Sequence, residues 1–419
     1  MLKNCDYKTV RDALLEKVIP VEAEEVPLQD CAGRVLAQEI LARSDIPPFD
    51  RSPYDGYAFR AADVAQASED QPVTLKITDY IAAGDVPHCP VTEGTAAHLM
   101  TGAPVPEGAD AVLPFEKTRF TEETVTISAP VRSGSNIVYA GEDVLRGQLL
   151  CPAGVRIDAG LAGTLAGQRI LRPLVYRKPV VAILSTGTEL LEEDEEPAPG
   201  RISNTNRYTL QAACGLAGCV AFYAGTARDD EDEISRLLLK ALKECDAVLI
   251  SGGVSVGDYD CTPAAMEKAG VRLLARGLSL KPGMAGAYGI CSGEQKEAGD
   301  AGVGTGIPVF GLSGNPAACM TAFYAVALPV LKKRMGLRQY LPEHVRVRLT
   351  EDYSRRNQSA RLLRGRIDPG GTVQEMRISP RQGNQMLASF AESNAFAEIP
   401  AGASLKPGDT ADAFLFQSF

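Results

Sequence analysis

Four short segments are apolar without a polar alternation: residues 180–184 (VVAIL), 220–224 (VAFYA), 247–250 (AVLI) and 308–312 (PVFGL). Runs of this length predict strands buried on both faces, as in a parallel sheet. The segments between them have helical character. Residues 209–215 predict a helix closed by a glycine. Residues 230–245 predict a helix with acidic residues at its start and Lys240 and Lys243 near its end, which suits the helix dipole. Residues 316–333 predict a helix with Pro316 in an early position. Strands alternating with helices predict a three-layer α/β sheet with right-handed crossovers.

The flanks read differently. Residues 7–18 place Val10, Leu14 and Val18 on one face of an amphipathic helix. Residues 45–57 are dense in Pro, Asp and Gly and predict a stiff loop. Residues 73–78 and 124–127 alternate as strands do, with Gly and Pro turns between them. Residues 161–171 predict a short apolar helix. Beyond Leu337 the text is β-like again, at 345–349, 372–373, 395–399 and 413–416. The expected organisation is an N-terminal domain made of 1–44 and 140–174, an inserted β domain at 45–139, an α/β domain at 175–335 and a C-terminal β-barrel-like domain at 336–419. Residues 292–306 read as an excursion without chemistry.

Composition narrows the partners. With 419 residues the chain is long enough for two to four domains. A net charge of −10 argues against a nucleic-acid platform, though a local site can still be positive. No stretch reaches the apolar length of a membrane span, and residues 1–10 carry no secretory signal. Ten singly scattered cysteines then favour free thiols and a cytoplasmic location. The three histidines, His88, His98 and His344, form no metal or triad pattern.

Candidate chemistry lies on three glycine-rich segments that follow three of the strands: STGTE at 185–189, SGGVSVGDYD at 251–260 and SGNP at 313–316. In open α/β sheets the ligand crevice lies at the carboxyl ends of strands. Glycine lets backbone amides approach an anion, and helix N-termini favour it. The candidate ligand-binding residues are Thr186, Gly187, Ser251, Gly252, Gly253, Ser255, Gly257, Asp258, Asp260, Ser313, Gly314 and Asn315. Neither a P-loop nor a dinucleotide fingerprint is present, so the phosphate binder is of another kind. Glu189, Asp258 and Asp260 are candidate Mg²⁺ ligands, because a hard ion near phosphate takes oxygen donors. Asp229 and Asp230 read as helix caps. Lys281 sits in a turn that would hold its ammonium still.

Seven ordered motifs resemble those of the molybdopterin molybdenumtransferases, the family of the gephyrin E domain. They are PPFDRSPYDGYA (47–58), MTGAPVPEGADAV (100–112), GED (141–143), STGTEL (185–190), SGGVSVG (251–257), KPG (281–283) and GLSGNP (311–316). The resemblance implies an elongated, split N-terminal domain with a β insertion, a molybdopterin-binding α/β domain and a C-terminal β domain. It implies insertion of molybdate into adenylylated molybdopterin with release of AMP and help from Mg²⁺. It also implies a homodimer with a shared active cleft, with the adenylyltransferase and molybdoenzyme apoproteins as further partners. On that basis Asp55, Thr101, Asp143, Glu189 and Lys281 are the candidate catalytic residues. Thr101 would offer its hydroxyl to an oxyanion, and Arg276, Lys281 and Arg364 are candidate cations for molybdate. Departures from the family pattern fall at Thr188, Asn204, Arg276, Met284 and Ser313. Alternative readings are a molybdopterin adenylyltransferase and a non-catalytic scaffold derived from the family.

Overall fold

The computed structural model describes residues 1–255, 260–292, 306–355, 358–368 and 374–416. The chain divides into two compact units, one of Met1–Gln38, Ala153–Ala162 and Arg172–Phe419, the other of Glu39–Pro152 and Gly163–Leu171.

The larger unit is built on a seven-stranded sheet. Its order is Leu2–Cys5, Val271–Leu278, Gly286–Ser292, Gly306–Leu312, Ala247–Ser251, Val180–Thr186, Val220–Ala227. Six strands run the same way, and Gly286–Ser292 opposes both of its neighbours. The four apolar runs are therefore parallel strands as expected, but the sheet is mixed. The strands at 2–5, 271–278 and 286–292 are not evident as apolar runs.

Alternation along the central strands makes the three layers. Val181, Ile183, Leu249 and Phe310 join one core with Val10, Leu14 and the helices near the end of the unit. Ala182, Leu184, Val248, Ile250 and Val309 join the opposite core with Leu238, Ala241 and Met266. Successive side chains of a strand point to opposite faces, so a strand apolar throughout fills both cores.

The helices follow their end signals. Asp230 caps Glu231–Glu244 by accepting from Glu233 N–H at 2.8 Å. The expected helix at 209–215 is longer, Thr205–Ala217, and Gly218 rather than Gly215 ends it, at φ 104°. The helix expected at 316–333 runs as Pro316–Ala322, a wider π turn at Phe323–Ala327 and Leu328–Arg334. Pro329 has no N–H to give back to the preceding turn, and the wider turn sits where that bond is missing. The buried Asp246 carboxylate ties this layer together. It accepts from both Arg177 amino groups at 2.6 Å, from Val180 N–H at 2.7 Å and from Arg334 at 3.4 Å.

Toward the C-terminus five strands close into a barrel: Ala360–Ile367, Glu375–Ile378, His344–Leu349, Thr410–Leu415 and Ala395–Ile399, which pairs back with the first. Leu363, Met376, Val347, Ala413 and Ala397 fill it. The expected strand at 372–373 lies outside the described residues, as do 293–305 of the expected excursion.

The smaller unit is a six-stranded sheet, in the order Ala111–Pro114, Gly56–Phe59, Thr95–Leu99, Val73–Ile81, Thr124–Ile127, Arg119–Phe120. Phe59, Leu75 and Val125 pack on one face and Ala58, Leu99 and Val112 on the other. The apolar segment expected as a helix at 161–171 forms Ala159–Gly167.

Candidate active site

Three neighbouring parallel strands end side by side at Thr186, Ser251 and Leu312. The loops that follow are laced to one another. Gly252 N–H donates to Leu312 O at 3.0 Å, Thr262 N–H to Gly253 O at 3.0 Å, and the Thr262 hydroxyl to Gly252 O at 2.9 Å. Gly252 and Gly253 sit at φ 108° and 62°. A Cβ on Gly252 would fall 2.4 Å from Thr186 O, so glycine is required for both conformation and approach.

These loops floor and wall a cavity of about 660 Å³. From the first loop come Thr186, Gly187 and Glu189; from the second, Ser251, Gly252, Gly253, Ser255 and Asp260; from the third, Ser313, Gly314 and Asn315. The structure thus brings these sequence-derived candidates together. Gly257 and Asp258 lie outside the described residues. Arg276 and Lys281 are not among the lining residues. Arg276 stands opposite Lys3 near the sheet edge, and Lys281 is exposed on a short strand beside Arg361 of the barrel. Ala285, just after the KPG turn, does line the cavity.

Sequence reasoning missed the first turn of Thr205–Ala217. Asn204 caps that helix, accepting from Arg207 N–H and from the Ser185 hydroxyl, each at 3.2 Å. Asn204, Thr205 and Asn206 all line the cavity. Asn206 Nδ2 donates to Ser251 Oγ at 3.0 Å and to Gly314 O at 2.9 Å, joining the second and third loops. The signal was available: an Asn before a helical run is a cap pattern, and it places the helix start four residues earlier. Asp229 also departs from its expected role. Asp230 alone is the cap, while Asp229 lines the cavity and accepts from Thr188 N–H at 3.3 Å and the Thr188 hydroxyl at 3.5 Å.

The barrel contributes Gln385 to the cavity, and Asn384 O accepts from Ala317 and Ala318 N–H at 2.9 and 3.2 Å. That carbonyl caps the helix after the third loop. Arg364 of the barrel is fully buried. Its Nη2 donates to Arg381 O at 2.9 Å and Gly383 O at 3.1 Å, while Nε and Nη1 have no partner among the described residues. Burial pushes its guanidinium down to about 10, so it stays charged at neutral pH. The buried Ser393 hydroxyl is also unpartnered among the described residues.

In the smaller unit three motif loops are knitted into one surface. Ser52 N–H donates to Ala103 O at 3.0 Å and Gly102 N–H to Ser52 O at 2.8 Å. Arg51 N–H donates to Val138 O, and Gly141 N–H to Pro47 O, each at 2.9 Å. The half-buried Asp55 accepts from Thr101 N–H at 2.6 Å and from the Thr101 hydroxyl at 2.7 Å. These bonds, the backbone one foremost, hold its carboxyl below the usual carboxylate range. The Thr101 hydroxyl, expected to serve an oxyanion, is thus given to Asp55. Asp143 is exposed, with its N–H on Ile46 O at 3.0 Å.

Comparison with known proteins bears on the same segments. Residues 5–168 match the family described as MoeA N-terminal region (domain I and II). Residues 182–333 match "Probable molybdopterin binding domain" and residues 346–416 the MoeA C-terminal region (domain IV). A molybdopterin molybdenumtransferase of Staphylococcus epidermidis is 32% identical over 97% of this chain and 94% of its own length. One from Bacillus subtilis is 35% identical over 91% of this chain and 86% of its own. The crystal structure of the molybdopterin biosynthesis MoeA protein from Pyrococcus horikoshii superposes with a TM-score of 0.84 at 30% identity, covering 99% of each chain. With relatives this similar along almost its entire length, the chain belongs to the molybdopterin molybdenumtransferase family.

Proposed function

We propose that this protein inserts molybdate into adenylylated molybdopterin and releases AMP, acting as a cytoplasmic homodimer. The observation that carries the reading is the cavity at the ends of three adjacent parallel strands, floored by glycine loops and rimmed by Glu189, Asp229 and Asp260. A pterin nucleotide with a diphosphate needs amide-rich loops for its anionic part and a recess for its ring. The loops at 185–189, 251–255 and 313–316 supply both.

The rim suits Mg²⁺. Its carboxylates offer only oxygen, the donor a hard ion takes, and among the described residues no three acidic, His or Cys side chains form a cage. Mg²⁺ commonly takes one or two carboxylates and fills its shell with phosphate oxygens and water. Glu189 and Asp260, with Asp258, would hold it, and the ion would neutralise charge on the diphosphate. Molybdate, a dianion, calls for cations. Lys281, exposed, and Arg276, half-buried, are two candidates. Arg364, charged and with two unpartnered nitrogens, is the buried one. Asp55, kept ionised by Thr101, and the exposed Asp143 would complete the site from the partner subunit by positioning a water at the anhydride.

Purified protein given adenylylated molybdopterin, Mg²⁺ and molybdate should yield AMP and pterin-bound molybdenum together. AMP without incorporated molybdenum, or adenylylation of molybdopterin by ATP in its place, would overturn this reading.

A further inference from the structure

We propose that Asn206 is a specificity-determining residue whose side-chain oxygen accepts a hydrogen bond from a ring amine of the ligand. The floor of the cavity then reads a heterocycle while the rim holds phosphate. The inference rests on reading the cavity as a pterin-nucleotide site.

Asn206 is 6% exposed, lines the cavity and lies in the first turn of the 13-residue helix Thr205–Ala217. Its Nδ2 donates to Gly314 O at 2.9 Å. A backbone carbonyl can only accept, so this contact fixes which end of the amide is nitrogen. The other end, Oδ1, is buried and has no partner among the described residues. Thr186 is a second, independent case: it is 4% exposed, lines the cavity, and its buried Oγ1 has no partner among the described residues. Ser251 Oγ accepts from Asn206 at 3.0 Å, which leaves its own proton to donate.

The floor therefore presents one acceptor that needs a donor and two hydroxyls able to give protons. Buried polar groups left unmatched are costly, so the ligand portion held here is the one that matches them. Phosphate oxygens bring no donor and would face Asn206 Oδ1 oxygen to oxygen. An amino-substituted heterocycle carries a donor beside ring acceptors on one edge and satisfies both kinds of group. Adenylylated molybdopterin has two such rings, pterin and adenine.

Wild-type protein is titrated calorimetrically with two matched pairs, pterin-6-carboxylate against its 2-oxo analogue and AMP against IMP. Asn206→Leu is measured beside wild type. In at least one pair the amino member should bind about tenfold or more tightly to wild type, and the pair that discriminates identifies the ring. Asn206→Leu should erase that preference, bringing the amino and oxo members to within about twofold of each other. Equal affinity for amino and oxo members of both pairs overturns the proposal, and needs no variant to fold. So does an amino preference that persists undiminished in Asn206→Leu. Molybdate-dependent AMP release by wild type separates the two claims. Release without ring discrimination sinks this inference alone, and discrimination without release sinks the insertion reading alone.

Discussion

Single residues in this protein act through what they leave free as much as through what they bond. Asp55 spends two short hydrogen bonds on Thr101 and is thereby held as a carboxylate. The sign follows: its folded value is depressed, so the stabilisation it gives is present above the ordinary carboxylate range and is lost as pH falls through the folded value. Thr101→Val should move the acid limb of AMP release to higher pH, toward that ordinary range, as read from a rate–pH profile. Gly252 makes the opposite case, a residue defined by lacking a side chain. Gly252→Ala should cost about 1–3 kcal/mol in a urea melt, because its φ of 108° is strained for alanine and the new methyl meets Thr186 O. Thr188, a departure from the family pattern, donates to Asp229. Thr188→Asp would bring two carboxylates together at the rim and should strengthen its hold on Mg²⁺, measured as a lower Mg²⁺ concentration for half-maximal AMP release.

At the scale of elements, the strands that feed the cavity were legible because a doubly buried strand must be apolar throughout, and 180–184, 247–250 and 308–312 are. The glycine loops were legible for the same reason: three of them after three such strands point to one crevice. What escaped has physical causes too. Ala360–Ile367 is a barrel strand carrying three arginines, and its central one is buried against backbone carbonyls and the Phe390 ring rather than in water. Leu2–Cys5 is a four-residue edge strand with two polar residues, which no periodicity marks. The start of Thr205–Ala217 was missed because its first turn is polar, and it is polar because it faces the cavity. The clamp at Asp246 supplies a test at this scale. Burial pushes this carboxyl up, yet the Arg177 bonds and Val180 N–H outweigh it and hold the group low. Asp246→Asn should cost about 3–5 kcal/mol, since it strips the buried Arg334 of its counter-charge. Its contribution should be intact above the ordinary carboxylate range and fade as pH falls through the folded value, visible as an acid-side drop in Tm that the variant lacks.

For the whole molecule, the proposed division of labour is between an α/β unit with a glycine-floored, acid-rimmed recess and a β unit with the Asp55 carboxylate on a cross-braced loop. The seven motifs that carried the family resemblance are spread over both units, and the family matches likewise cover residues of both. Neither unit contains the full set of candidate groups, so the account requires that ligand binding and turnover be separable by mutation. The measurement that bears on this most directly is a time course of AMP release from adenylylated molybdopterin at increasing molybdate, run with wild type and Asp55→Ala beside a binding titration of the same substrate. The account predicts release that rises with molybdate in wild type, and a loss of about 100-fold or more in Asp55→Ala with substrate affinity nearly unchanged. Release that ignores molybdate, or full turnover in Asp55→Ala, would contradict it.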